Sequence, residues 1–92
     1  MTEDMQREIG ALKGMVLAWK ESYLRVAPPD GDSEYLVHDF LEEIEMHMYP
    51  YTRRLCECAY LTSAEAGEFL SFCYQQAGEL RDSLRQAVSE QH

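Results

Sequence analysis

Apolar residues recur along the chain at alternating spacings of four and three residues in three separate segments. This rhythm is typical of an amphipathic helix that packs through one face. No segment alternates with a period of two over the length of a strand, so no sheet is predicted. We therefore predict three helices with heptad-like seams. The seam positions are Met5, Ile9, Leu12, Val16, Trp19, Tyr23 and Val26, then Val37, Leu41, Ile44, Met48, Tyr51, Leu55 and Cys58, and finally Ala66, Leu70, Cys73, Ala77, Leu80, Leu84 and Ala87.

Two breaks separate these segments. The first is the turn-forming stretch 27–32, which contains two prolines, a glycine and two aspartates. The second falls at 61–63, where Thr62 and Glu65 have the spacing of a capping box that starts a helix. The predicted helices span about 3–26, 33–60 and 63–90, within a single helical domain covering 1–92. Similar lengths and short connections favour an all-α, up-down-up antiparallel bundle.

Pro50 lies inside the second predicted helix, where a proline removes a backbone hydrogen bond and costs about 3 kcal/mol. The apolar seam nevertheless continues in register from Met48 to Tyr51 and Leu55. We therefore predict one long helix that is kinked at Pro50. The alternative is a break near Tyr49 that would divide the chain into four shorter helices.

The composition narrows the possible functions. The chain has 17 acidic against 8 basic residues, a formal charge of −9, and 46% hydrophobic residues. A chain this apolar is not a disordered acidic tail, and its charge argues against nucleic acid as a partner. No apolar run approaches the ~20 residues of a membrane span, so no membrane partner is expected. Three cysteines, an odd number, and no signal-peptide pattern favour a cytoplasmic location.

The negative charge is concentrated rather than spread. Seven acidic residues and no lysine or arginine lie between Val26 and Thr52. One interpretation is an acidic face that docks a basic protein partner. The other is a solvated helix face whose acids also favour the helix N-terminus. The candidate partner-binding residues are Asp39, Glu42, Glu43 and Glu45.

The same segment offers candidate metal ligands. Pairs four residues apart share a helix face, and His38 with Glu42 and Glu43 with His47 have this spacing. The Glu-x-x-His spacing of di-iron bundles is absent, since Ile44 stands three residues before His47. A metal or small-ligand site would use His38, Glu42, Glu45 and His47. It remains an alternative, and no cofactor is predicted.

Apolar residues outside the seams indicate a second buried surface. In the first helix Gly10 and Gly14 belong to an outer ridge of small residues, and Leu17 and Leu24 also lie off the seam. With Phe72 of the third helix, these are the candidates for a dimer surface. The predicted assembly is a homodimer. The alternative is a monomer with an exposed binding groove. The other apolar residues beside or opposite the seams are Phe40, Met46, Tyr49, Tyr60, Phe69 and Tyr74.

No pattern of catalytic residues is present in the sequence. The glycines are isolated, and no base is placed beside Cys73, Ser63 or Ser71. The predicted function is therefore a non-catalytic interaction or oligomerisation module of a cytoplasmic complex, which docks through its acidic helix face and exposed aromatics. Besides the metal-binding or ligand-binding alternative, an acidic mimic that inhibits a nucleic-acid-binding protein also fits the charge.

Overall fold

The computed structural model of the protein describes residues 1–27 and 33–90, with side chains as far as Ala87. Helix α1 spans Glu3–Arg25, α2 spans Glu34–Glu43 and α3 spans Tyr49–Glu57. A π-helical segment, Ile44–Met48, joins α2 to α3 into one rod, and α4 spans Ser63–Glu90. No strand occurs within these described ranges. The all-α class and the three-helix bundle with a kinked second helix are confirmed, whereas the predicted turn at 28–32 lies outside the described residues.

Side-chain contacts fix the direction of the helices. The N-terminal amine lies 3.1 Å from Glu65, and Lys20 reaches Gln76 at 2.6 Å, so α1 and α4 run parallel. The second rod runs antiparallel to α1, because Tyr51 bonds Glu8 near the start of α1 whereas Glu43 accepts from Tyr23 near its end. The bundle measures 50 × 20 × 18 Å. No helix among the described residues has the length and apolar character needed to cross a bilayer.

Polar side chains define the helix starts. Thr2 Oγ1 accepts from the Met5 amide at 3.1 Å, which caps α1. The capping box predicted at the start of α4 is present. Glu65 N–H donates to Thr62 Oγ1 at 3.1 Å, and Thr62 N–H donates to Glu65 Oε1 at 2.8 Å. The bond from the Thr62 amide holds the pKa of the Glu65 carboxyl below its usual value.

Helix α3 ends in a Schellman motif that contains no glycine. Ala59 N–H donates to Cys56 O at 3.0 Å, and Tyr60 N–H donates to Leu55 O at 2.9 Å. Ala59 takes the left-handed conformation that this cap requires, with φ of 65°. A side chain costs roughly 1–2 kcal/mol in this conformation, so the turn into α4 is strained at one residue.

The π-helical segment explains why a proline is tolerated in the middle of the second rod. Pro50 has no N–H to donate to the Met46 carbonyl, and its ring would clash there in a regular α-helix. In the structure the Tyr49 N–H bonds Ile44 O, five residues back, so the backbone widens immediately before the proline. We name the segment Ile44–Met48 the π-turn. The kink predicted at Pro50 is therefore a π-turn centred a few residues earlier.

The π-turn also changes which residues face the core. The heptad pattern placed Tyr51 on the seam, but Tyr51 is exposed and Thr52 is fully buried. A π-turn takes up extra residues per turn, so the buried positions follow a spacing of four through Phe40, Ile44, Met48 and Thr52. The buried Thr52 hydroxyl donates to Met48 O at 2.6 Å, which satisfies it without a partner from another helix.

Two aromatic residues assigned to the surplus surface belong to the core instead. Phe40 and Phe69 are both buried, and Phe72 is half-buried against the core. Fewer apolar residues therefore lie outside the core than the seam positions alone predict. The exposed residues that remain are Met15, Leu17, Leu24, Tyr35, Met46, Tyr49, Tyr51, Tyr60 and Tyr74, with Met1 and Val26 near the ends of α1.

Candidate functional site

An extended depression on the described surface lies between α1 and the second rod. Three adjoining cavities of about 340, 260 and 200 Å³ share residues along this line. We name it the α1–π groove, since α1 forms one wall and the π-turn lies at the centre of the other. Its lining residues are Leu12, Met15, Trp19, Ser22, Tyr23 and Val26 on one side, and Asp39, Glu42, Glu43, Met46, His47, Met48 and Tyr51 on the other.

Glu43 is the one residue that lines all three cavities. Its side chain is half-buried, and its Oε1 accepts the Tyr23 hydroxyl at 3.3 Å. Burial, the adjacent Glu43 and the more distant charges of Asp39 and Glu42 raise the pKa of Tyr23 to about 12. Tyr23 is therefore a neutral hydrogen-bond donor at physiological pH. Its ring is held edge-on to Phe40, with ring centres 5.7 Å apart.

The apolar end of the groove is formed by Trp19 with Leu12, Met15 and Met48. Trp19 is only partly buried, and its ring centre lies 6.3 Å from that of His47 at a tilt of 58°. A partly exposed indole therefore borders the groove one helical turn from the Tyr23–Glu43 hydrogen bond.

The π-turn sets the second wall of the groove. Its end residues Ile44 and Met48 are buried, whereas Met46 and His47 are exposed and line the groove. π-Turns inside α-helices are frequent at functional sites, since they displace side chains from their regular positions. The sequence signal for this segment is Pro50, although its position alone does not tell which side chains it displaces.

Three of the four predicted partner-binding acids converge here. Asp39, Glu42 and Glu43 line one cleft together with Tyr23 and His47. Glu45 lies elsewhere, in a cavity of about 290 Å³ with Tyr49 of α3 and Tyr74 of α4. Burial and the charge of Glu45 raise the pKa of the Tyr74 hydroxyl.

The groove acids form none of the ion pairs found among the described residues. Two cross-helix pairs have partners on other surfaces: Lys20 lies 3.1 Å from Glu79, and Arg81 lies 3.7 Å from Glu34. Lys20 and Arg81 are thus paired with acids outside the groove, which leaves the groove carboxylates to solvent or to a partner.

The candidate metal ligands do not gather at one point. Glu42 and His47 line the same cleft, Glu45 lies in the cavity with Tyr74, and His38 is exposed outside both. Within residues 1–27 and 33–90, no group of three or more His, Cys, Asp or Glu side chains is arranged to hold a metal ion.

The candidate dimer surface divides into two parts. Gly10, Gly14, Leu17 and Leu24 are exposed along the outer side of α1, and we name them the outer stripe. Phe72 lies apart from it, half-buried in α4 with the Lys13 ammonium 5.2 Å from its ring centre. Phe72 therefore packs partly against the core of its own chain, away from the outer stripe.

Cys73 belongs to the core. It is buried, and burial raises the pKa of its thiol to about 11, so the nucleophilic thiolate is disfavoured there. Its place on the predicted seam of the third helix is confirmed.

Trp19 and Tyr23 were assigned to the core by the heptad pattern, and their role as groove walls was missed. Each lies at the edge of the seam, where it packs on the core and still borders solvent. The signal that could have identified them is their neighbour Met15, an apolar residue four positions before Trp19 and off the seam.

Comparison of the chain with models of known protein families, with curated proteins and with solved structures finds no match.

Proposed function

We propose that this protein is a non-catalytic interaction module of a cytoplasmic complex, and that it docks a basic segment of a partner protein along the α1–π groove. The observation that carries the proposal is the convergence of three carboxylates with partly exposed aromatic side chains in one groove. Carboxylates steer and orient a basic partner, and aromatic side chains supply most of the contact energy in many interfaces.

The charge distribution supports a basic partner. Asp39 and Glu42 are exposed, Glu43 is half-buried, and none of them is ion-paired in the described parts of the chain. Unpaired carboxylates repel one another, so a cationic segment that neutralises them relieves this repulsion on binding. The three free thiols, Cys56, Cys58 and Cys73, are in keeping with a reducing compartment.

The apolar end of the groove indicates that the partner segment carries apolar residues beside its basic ones. Met15 and Trp19 border the largest of its three cavities, and Met46 lines the adjoining acidic cleft. Methionine side chains adapt to different partners, and tryptophan is a frequent anchor of interfaces. A segment that alternates basic and apolar residues would satisfy both ends at once. The Tyr49–Tyr74 surface beside Glu45 would provide a second, smaller contact.

A charge-reversal experiment tests the proposal. The variant Asp39→Lys/Glu42→Lys changes two exposed groove acids and leaves the Tyr23–Glu43 bond in place. The matched control is Glu68→Lys/Asp82→Lys, which makes the same change of charge at exposed acids of α4. Proteins captured by each variant are quantified against the wild type at two salt concentrations.

We expect the groove variant alone to lose its basic partner, with the wild-type interaction weakening as salt rises. Equal capture by the groove variant and the wild type would contradict docking at this face. Equal losses in both variants would assign the effect to net charge rather than to the groove.

A second candidate is self-association through the outer stripe of α1. The observation that favours it is that Leu17 and Leu24 stay exposed beside two helical glycines with open space around them. A homodimer would bury this stripe against its own copy. Sedimentation equilibrium at micromolar concentration tests it, since the single chain has a mass of 10.7 kDa. A mass at that value would exclude the dimer, and Leu17→Glu should dissociate one if it forms.

A further inference from the structure

We infer that the cavity bounded by Trp19, Tyr23 and Glu43 is a binding site for a single organic cation, a guanidinium or alkylammonium group. The inference deepens the proposed docking function, because a basic partner would present such a group, but the site itself does not depend on the partner. It rests on three features of the groove: an unneutralised carboxylate, a surrounding negative field and two aromatic walls.

The first feature is the state of the Glu43 carboxylate. A carboxylate offers about four acceptor positions, and Tyr23 occupies one of them at 3.3 Å. No cation of the described chain is paired with Glu43, although it is half-buried. The nearest basic side chain along α1, Arg25, bonds the Ser22 hydroxyl at 3.3 Å on the rim of the same cavity instead. A half-buried carboxylate that lacks a cation gains more from an incoming one than an exposed carboxylate does.

The second feature is the sign of the local field. Glu43, Asp39 and Glu42 all disfavour a negative charge at the Tyr23 oxygen. The same three carboxylates favour a positive charge in the adjoining space, and they line a single cleft with Tyr23. An anionic ligand is excluded on the same ground. The Tyr23 hydroxyl remains protonated, so it directs its hydrogen to Glu43 and leaves the phenol oxygen as a further acceptor.

The third feature distinguishes an organic cation from a metal ion. Trp19 and Tyr23 line the cavity of about 200 Å³ that also contains Glu43. Divalent metal ions require several oxygen or nitrogen ligands at one point, and the described residues contain no such group. Guanidinium and alkylammonium groups instead bind between a carboxylate and the face of an indole or phenol ring. The chain already makes a cation–π contact, in which the Lys13 ammonium lies 5.2 Å from the ring centre of Phe72.

Trp19 is the sole tryptophan of the chain, so its fluorescence reports on this cavity and on the adjoining apolar cavity of the groove, which shares the Trp19 wall. The test titrates the protein with N-acetyl-arginine amide, which carries one guanidinium and no other charge. The matched control ligand is N-acetyl-citrulline amide, which has nearly the same shape without the charge. We expect a saturable change with the arginine derivative at a dissociation constant of ~1 mM, as befits a single side chain. We expect no saturable change with the citrulline derivative.

The variant Glu43→Gln removes the charge but keeps an oxygen that can accept from Tyr23. It should weaken binding of the arginine derivative at least tenfold, whereas Glu68→Gln on α4 should not change it. Thermal unfolding of both variants verifies that they are folded. Equal responses to the two ligands, or wild-type affinity in folded Glu43→Gln, would overturn the inference.

Two further ligands distinguish the source of the cation. Spermidine represents free polyamines, and a short peptide with one arginine between leucines represents a protein side chain. Tighter binding of the peptide assigns the site to a protein partner, and tighter binding of spermidine assigns it to a free amine. If the cation binds but capture of proteins is unchanged in Asp39→Lys/Glu42→Lys, the docking function fails while the cation site stands.

Discussion

Replacing Gly10 and Gly14 by alanine tests whether the outer stripe of α1 is free. A Cβ added at either position meets no atom within 4 Å beyond the adjacent helix backbone. Nothing therefore opposes the gain in helix propensity, which is about 0.8–1 kcal/mol for each glycine in a helix interior. The double variant should raise the free energy of unfolding by about 1.6–2 kcal/mol. For a domain of this size such a gain raises the Tm by roughly 6–16 °C.

Urea denaturation followed by circular dichroism measures this change, at several protein concentrations. The matched control is Gly78→Ala, which also has open space around it but lies on α4. We expect a comparable gain per residue at all three positions, independent of protein concentration. A gain at Gly78 with a loss in the Gly10/Gly14 variant would refute the reasoning. That result, with a midpoint that rises with concentration, would show that a second chain packs on the stripe.

Three other predictions follow from single residues. Ala59→Gly should stabilise the protein by about 1 kcal/mol in urea denaturation, because Ala59 has a φ of 65°, which glycine adopts more readily than alanine. The control Ala18→Gly, in the regular and exposed part of α1, should destabilise the protein by a similar amount. Ellman's reagent should modify Cys58 and then the half-buried Cys56 in the native protein, and it should modify Cys73 only after unfolding. Rapid modification of all three thiols in the native protein would contradict the burial of Cys73. The pKa of Tyr23, raised to about 12, means that Tyr23 stabilises the fold below pH 10 and loses this contribution as the pH rises from 10 towards 12. Tyr23→Phe should abolish that part of the alkaline unfolding profile and should remove the phenol that ionises last in an absorbance titration. A last-ionising phenol that persists in Tyr23→Phe would show that burial and Glu43 do not raise the pKa of Tyr23.

The architecture could be predicted because helical periodicity is a local property of the chain. Spacings of four and three identified all three helices, and the Thr62–Glu65 pair placed the start of α4 correctly. Val16, Ile44 and Leu80, taken from three different seams, are all fully buried. The burial of these positions can be predicted from the apolar spacing within a single helix, since the apolar face of that helix must pack on its neighbours.

The ion pairs between helices were less predictable. A simple hairpin folded about each turn predicts Lys20 near Asp39 and Arg81 across from Glu42. Both expectations are wrong: Lys20 bonds Gln76 and Glu79 of the parallel helix, and Arg81 lies near Glu34. Long basic side chains can reach several acids, and surface ion pairs are too weak to fix one arrangement.

The candidate site was predictable in its charge but not in its shape. Asp39, Glu42 and Glu43 were identified because acidic residues cluster in the sequence without basic neighbours. The groove itself needs two helices, and Trp19 and Tyr23 enter it from the edge of the α1 seam. The exchange of Tyr51 for Thr52 at the core depends on the π-turn, whose wider backbone a heptad pattern cannot represent.

The π-turn gives a criterion for recognising relatives of this protein. Relative to a regular α-helix, it is equivalent to one inserted residue, and each residue turns a helix by about 100°. The wider turn absorbs this rotation, so a relative that lacks one residue between Ile44 and Met48 would have a regular α-helix there and would keep the residues on either side on the same faces. Only side chains within the π-turn, such as Met46 and His47, would be displaced. In an alignment, the position of that single gap would separate chains that have inherited the π-turn wall of the groove from chains that have inherited the bundle alone.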